Sequence, residues 1–296
     1  MRRIRCWVAW VLTTVMLAAM SIQAVAAESG VLALGADLSD AQKAVVFAEM
    51  GISEEEAADY QTIYITNDME HEHLDASLGA NVVGKKSLSS VLVIPQESGS
   101  GLQVETHNIS YCTIAMYRNA LLTAGVSDAK VIVAAPSPIS GTAALIGAVK
   151  AYETYSGASV SEDAFEVATN ELVLTGELMD ELQNMDSDKV SELIAYLKQY
   201  IAEHDLDNPE KLAELVKQAA TEMGIELTDE QISKIVDLLL KLSKLEIDAD
   251  RLVSQAKEFY NKLDSLGIKL DGEKVGNFVT RFVSSIWNLI QSFMAR

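Results

Sequence analysis

The stretch KVIVAAPSPISGTAALIGAVKAY, residues 130–152, decides the fold. Its first six residues, Lys130 to Ala135, make a short, continuously apolar run, the pattern of a strand covered on both faces. Pro136 and Pro138 read as the end of that strand. Ser140 stands where an N-cap is expected, and the small residues Gly141, Ala143, Ala144, Gly147 and Ala148 suit a helix lying close on a sheet. A buried strand leading straight into a close-packed helix is a building unit of sheet-and-helix domains.

Working outward toward the N-terminus, residues 111–123 read as a helix closed by Gly125. Residues 87–94 (SLSSVLVI) form a strand ended by Pro95. Residues 102–109 alternate, with Leu102, Val104, Thr106 and Asn108 set against Gln103, Glu105 and His107, as in a half-buried strand. The Gly99-Ser100-Gly101 turn between them suggests that these two strands pair as a hairpin. A β-branched run at 62–66 and a helix at 40–50, stopped by Gly51, complete a mixed α/β domain with a small sheet over residues 28–157.

Beyond residue 157 everything reads as helix. Start signals recur at Ser161, Ser187, Asn208-Pro209 and the capping box Thr228 to Gln231. Apolar stripes lie between them, such as Leu212, Leu215, Val216 and Ala219. Five or six helices with short connections predict a helical bundle over residues 158–296. The fold class is therefore α+β: a small-sheet domain followed by an all-α bundle. The segment from Met223 to Glu230 is echoed 43 residues later by Leu266 to Glu273, which reflects the likeness of good helix stops rather than a repeat.

Residues 1–27 have the three parts of a signal peptide. Arg2, Arg3 and Arg5 precede an uncharged stretch from Cys6 to Met20, and Ala24-Val25-Ala26-Ala27 supplies small residues for cleavage near Ala26 and Ala27. The apolar stretch is shorter than the roughly 20 residues that span a bilayer. Loss of this leader removes three of 23 basic residues and none of the 43 acidic ones, so the formal charge moves from −20 to −23. Such a field, without clustered Lys and Arg, excludes nucleic acid as a partner. Cys6 leaves with the leader, and Cys112 alone forms no intramolecular disulfide. It reads as a small core residue. The expected product is secreted or envelope-associated and strongly acidic.

Candidate sites are few. His71 and His73, with Asp68, Glu70, Glu72 and Asp75, form the densest group of metal-ligand types. A helix starting at Asn67 would turn the two histidines apart, and zinc motifs space them at i and i+4. Asp248 and Asp250 lack the rest of a calcium loop. Ser140-Gly141-Thr142 follows a buried strand but lacks both the nucleophile elbow and the lysine of a phosphate loop. No cofactor motif is present. In the last helix, residues 273–294, the apolar stripe includes Phe278, Phe282, Ile286, Trp287 and Phe293, with Lys274 and Arg281 among its polar residues. Packing in the bundle explains this stripe, and peripheral membrane contact or a partner surface is its functional reading.

One resemblance adds to this. Asn108-Ile109, Tyr117-x-Asn119-Ala120-Leu121-x-Thr123-Ala124-Gly125, Val133-Ala134-Ala135-Pro136 and Ser140-Gly141-Thr142-Ala143-Ala144-Leu145 resemble the YpuA-like family of exported proteins of unknown function from Gram-positive bacteria. The resemblance implies export and a cell-envelope setting, and it carries no activity, cofactor or catalytic residue. It points to Asn108, Asn119, Thr123, Ser140 and Thr142 as polar residues flanking apolar elements, candidates to line one cleft. The leading expectation is a non-enzymatic envelope or extracellular protein that binds an unknown protein or wall partner. The alternative is an extracellular hydrolase using a cleft near residues 108–142.

Overall fold

A computed structural model describes residues 30–74, 84–182, 187–204 and 206–245. The signal-peptide reading, the stripe at Phe278, Phe282, Ile286, Trp287 and Phe293, Asp248 and Asp250, and the second copy of the echo lie outside these residues. Five strands, β1 (Val31–Gly35), β2 (Gln61–Ile65), β3 (Ser90–Pro95), β4 (Leu102–Ile109) and β5 (Ala129–Ile139), form one sheet in the order β2-β1-β3-β5-β4. The helices are α1 (Asp40–Met50), α2 (Glu54–Ala57), α3 (Asn67–Leu74), α4 (Ile114–Thr123), α5 (Thr142–Ser156), α6 (Glu162–Glu181), α7 (Ser187–His204), α8 (Pro209–Met223) and α9 (Asp229–Leu242). The fold is α+β, with five described helices, α5 to α9, following the last strand of the sheet.

Alternation along the strands sorts side chains to two faces. Val31, Ala33, Val91, Val93, Val131 and Val133 face the core shared with α4 and α5. Leu32, Leu34, Leu92, Ile132 and Ala134 face the core shared with α1. The sheet is thus covered on both sides, and β5 is buried on both faces as its composition requires. Gly147 permits the close approach of α5: a Cβ there would lie 3.0 Å from Val91 and 3.1 Å from Ala33.

The expected hairpin is not formed. β5 lies between β3 and β4, antiparallel to the first and parallel to the second. The most apolar strand takes a central place with neighbours on both sides, and the alternating β4 takes the edge, where one face is half exposed. The 96–101 turn instead folds onto the start of β5, where the Asp128 side chain accepts from the backbone N–H groups of Gly99 and Gly101 at 3.0 Å each. Pro136 and Pro138 do not end β5, which runs on to Ile139. Pairing with β3 stops at Ala134, so the prolines lie past that ladder and the missing N–H groups cost nothing on that side.

The second half follows its caps. Ser161, Asn208 and Thr228 each accept a backbone N–H at the starts of α6, α8 and α9, and Gly224 closes α8 with φ 70°. α6 packs on α4, and Phe165, Ala168, Leu172 and Val173 join the same core as the sheet-facing residues of α4 and α5. Among the described residues no helix is long and apolar enough to cross a membrane.

Candidate functional site

The pairing directions bring the carboxyl ends of β1, β2, β4 and β5 to one edge of the sheet, together with the start of β3. Open sheets of this kind place their ligand sites outside those ends. The chain is irregular there. Asn108 sits at a bulge in β4 with φ 58°, and its side-chain amide donates to the Ala135 carbonyl at 3.1 Å. The Ser110 N–H and hydroxyl both donate to Ile139 O, at 2.8 and 3.0 Å. Gly141 adopts φ 93°, and a Cβ on it would come within 2.4 Å of the Tyr117 hydroxyl, which donates to the Gly141 carbonyl at 2.5 Å.

Ser140 is not the cap of the next helix. The N-cap is Gly141, which has no side chain to offer, and α5 is capped in trans. The Ser89 hydroxyl, from just before β3, accepts from the Ala144 N–H at 3.1 Å. The Thr142 hydroxyl donates to Oε2 of Glu70 on α3 at 2.9 Å, so a carboxyl group sits at the electropositive end of α5. The Ser140 hydroxyl lies 3.4 Å from that of Thr142. Glu70 is 1% exposed, and burial pushes its carboxyl above the usual range against the hydrogen bonds of Thr142 and its neighbours. Oε1 of Glu70, Oγ of Ser87 and Nδ2 of Asn67 are buried with no partner within 3.5 Å among the described residues, so Ser87 and Asn67 face the carboxyl at longer range than a formed hydrogen bond. Cys112 lies in this core with its thiol pushed by burial up to about 12, where it is inert as a nucleophile.

Asn119 and Thr123 belong to a different cluster, on the side of α4 that meets α6 and α7. The Lys198 ammonium, on α7, donates to Asn119 O at 2.8 Å, Thr123 Oγ1 at 2.9 Å and Glu171 Oε1 at 2.7 Å. The Thr123 hydroxyl donates to the other oxygen of Glu171, and the Asn119 amide donates to Ser191 O at 3.0 Å. The side chains of Lys198 and Glu171 are each 1% exposed. Burial depresses Lys198, and the charge of Glu171 raises it again. The five residues expected to share a cleft therefore divide: Asn108, Ser140 and Thr142 stand at the sheet edge, while Asn119 and Thr123 serve a buried ion pair.

His71 and His73 lie on α3, where residues two apart diverge. His73 packs at a tilt against Phe165, with ring centroids 4.4 Å apart and planes inclined at 57°, and burial lowers its affinity for a proton. Among the described residues no three His, Cys, Asp or Glu side chains gather to hold a metal ion. Sequence reasoning did not single out Glu70 as a buried anchor, nor Ser87, Ser89, Glu171 or Lys198. For Lys198 the signal is visible in retrospect: it follows Val190 and Ile194 at successive intervals of four, in the middle of an apolar stripe.

Comparison with known proteins agrees with the resemblance in the sequence. The model of a family described as protein of unknown function (DUF1002) matches residues 34–259. The uncharacterized protein YpuA of Bacillus subtilis (strain 168) is 39% identical over 263 residues, covering 88% of each chain. No solved structure matches. The chain belongs to the DUF1002 family, whose fold is here a five-stranded mixed sheet continued by helices.

Proposed function

We propose that this chain is an exported, acidic and non-enzymatic protein of the cell envelope or extracellular space, which binds a protein or wall component. One observation carries the reading: four of the five cleft candidates use their side chains for internal structure. Asn108 holds Ala135, Asn119 holds Ser191, Thr123 holds Glu171 and Thr142 holds Glu70. A catalytic constellation needs a nucleophile and a base free to meet a substrate. The leader and the formal charge of −23 after its removal support export and a partner that is neutral or basic rather than nucleic acid. The stripe at Phe278, Phe282, Ile286, Trp287 and Phe293 supplies a peripheral membrane contact or partner surface.

Fractionation of producing cells tests the reading, with N-terminal sequencing of the mature protein and sedimentation of that protein with purified cell walls. Cleavage near Ala26 and Ala27, with recovery from wall or medium, is expected. Recovery of Met1 from mature protein contradicts export. Added lipid vesicles should shift tryptophan emission to the blue if the stripe docks on membrane.

A second reading, an extracellular hydrolase, is favoured by the Ser140, Thr142 and Glu70 chain at the sheet edge, with contacts of 3.4 and 2.9 Å. Turnover of activated esters that is lost in Ser140→Ala would establish it. Absence of labelling by serine-directed phosphonates would remove it.

A further inference from the structure

A buried ionised carboxylate is costly unless a basic side chain pairs with it, a metal ion binds it or a proton neutralises it. Glu171 takes the first course through Lys198 at 2.7 Å. Glu70 has no such partner: among the described residues the charged side chain acting on it is His71, the next residue on its own helix. Cys112 and Tyr117 are the titratable groups that feel its charge from the α4 side. One carboxylate oxygen accepts from Thr142, and the other has no donor within 3.5 Å among the described residues, although Ser87 and Asn67 stand near enough to ease its charge. Two more buried polar atoms, on Ser87 and Asn67, share that condition. All three belong to one locality. Asn67 and Glu70 stand three apart on α3 and share a face, and Ser87 and Asn67 both act on the Glu70 carboxyl.

We propose that Glu70, the hydroxyls of Ser87 and Thr142, and the side-chain amide of Asn67 turned oxygen-inward bind one alkali cation, sodium or potassium. The donor set is hard oxygen throughout, which disfavours zinc and copper. Charge balance selects a monovalent ion. A single carboxylate neutralises one positive charge, whereas a calcium ion would leave one charge buried and takes 6–8 oxygens, usually from several carboxylates. The acidic surface raises the local concentration of cations. The bound ion would clamp α3 and the start of β3 to the first turn of α5. That makes the carboxyl edge of the sheet a place where ionic conditions set the strength of the fold.

The test compares thermal unfolding of the mature protein in sodium, potassium and tetramethylammonium chlorides at equal ionic strength and pH 7.5. Wild type, Glu70→Gln and Glu72→Gln are measured together, Glu72 being exposed on the same helix. A bound ion stabilises by mass action, so the wild type and Glu72→Gln should melt several degrees higher in sodium or potassium than in tetramethylammonium. Glu70→Gln should show no such difference. Should Glu70→Gln fail to fold, Ser87→Ala keeps the carboxylate and removes one ligand, and its half-maximal effect should move to higher salt. Equal melting in the three salts overturns the proposal, as does an alkali effect that survives in Glu70→Gln. Stabilisation of the wild type by acid alone, without alkali dependence, assigns the neutralising partner to a proton instead.

Discussion

Two carboxylates are buried among the described residues, and the fold treats them differently. Glu171 sits between α4, α6 and α7 with Lys198 and Thr123 bonded to it, so that three helices share one ion pair. Glu70 sits at the carboxyl edge of the sheet with one hydroxyl partner and, among the described residues, no donor within 3.5 Å of its other oxygen. The first arrangement closes on itself. The second is chemically unfinished and therefore responsive to protons or ions. Two helical glutamates thus acquire opposite roles from what distant segments bring to them.

The largest way to break this contrast is at the closed pair. Lys198→Met leaves Glu171 buried and unpaired, and should cost about 3–5 kcal/mol in denaturant unfolding. Adding Glu171→Met should restore most of that loss, because a well-packed apolar pair is comparable to a buried ion pair. A double mutant no more stable than the single would show that the ion pair is not what holds the three helices.

Gly141→Ala comes next, since φ 93° and the 2.4 Å approach of the Tyr117 hydroxyl both oppose a side chain. The expected loss is about 1–3 kcal/mol. Ser89→Ala removes the trans cap of α5 and should cost about 1 kcal/mol. Ser140→Ala, by contrast, should change stability by less than about 0.5 kcal/mol, because that hydroxyl caps nothing. Equal losses in the two serine variants would return the cap to Ser140.

Local features were legible and long-range ones were not. Asn208-Pro209, Thr228 to Gln231 and Gly51 act where the sequence puts them, because caps and stops depend on neighbours within a turn. The continuously apolar 130–135 run identified a strand buried on both faces for the same reason. β1, only five residues long, has no length or periodicity to set it apart, yet it lies between β2 and β3. The hairpin failed because adjacency in sequence competes with the need of β5 for two neighbours. The polar clusters were beyond reach for a similar reason. Thr142 meets Glu70 across 72 residues, and Lys198 meets Thr123 across 75. No local pattern encodes such a meeting, although a lysine within an apolar helical stripe marks one end of it.

The contrast between the two carboxylates is tested most directly by the stability of wild type relative to Glu70→Gln as a function of pH, in tetramethylammonium buffers. Burial raises the Glu70 carboxyl above the usual carboxylate range, so the folded state favours the protonated form. The stabilisation this brings is complete below the unfolded value and fades as pH climbs through the higher folded one. Wild type should therefore lose ground to Glu70→Gln as the solution is taken from pH 4 toward neutrality. A wild type that instead gains on the variant over that range would mean that Glu70 is charged and fully compensated within the protein, and the contrast would be gone.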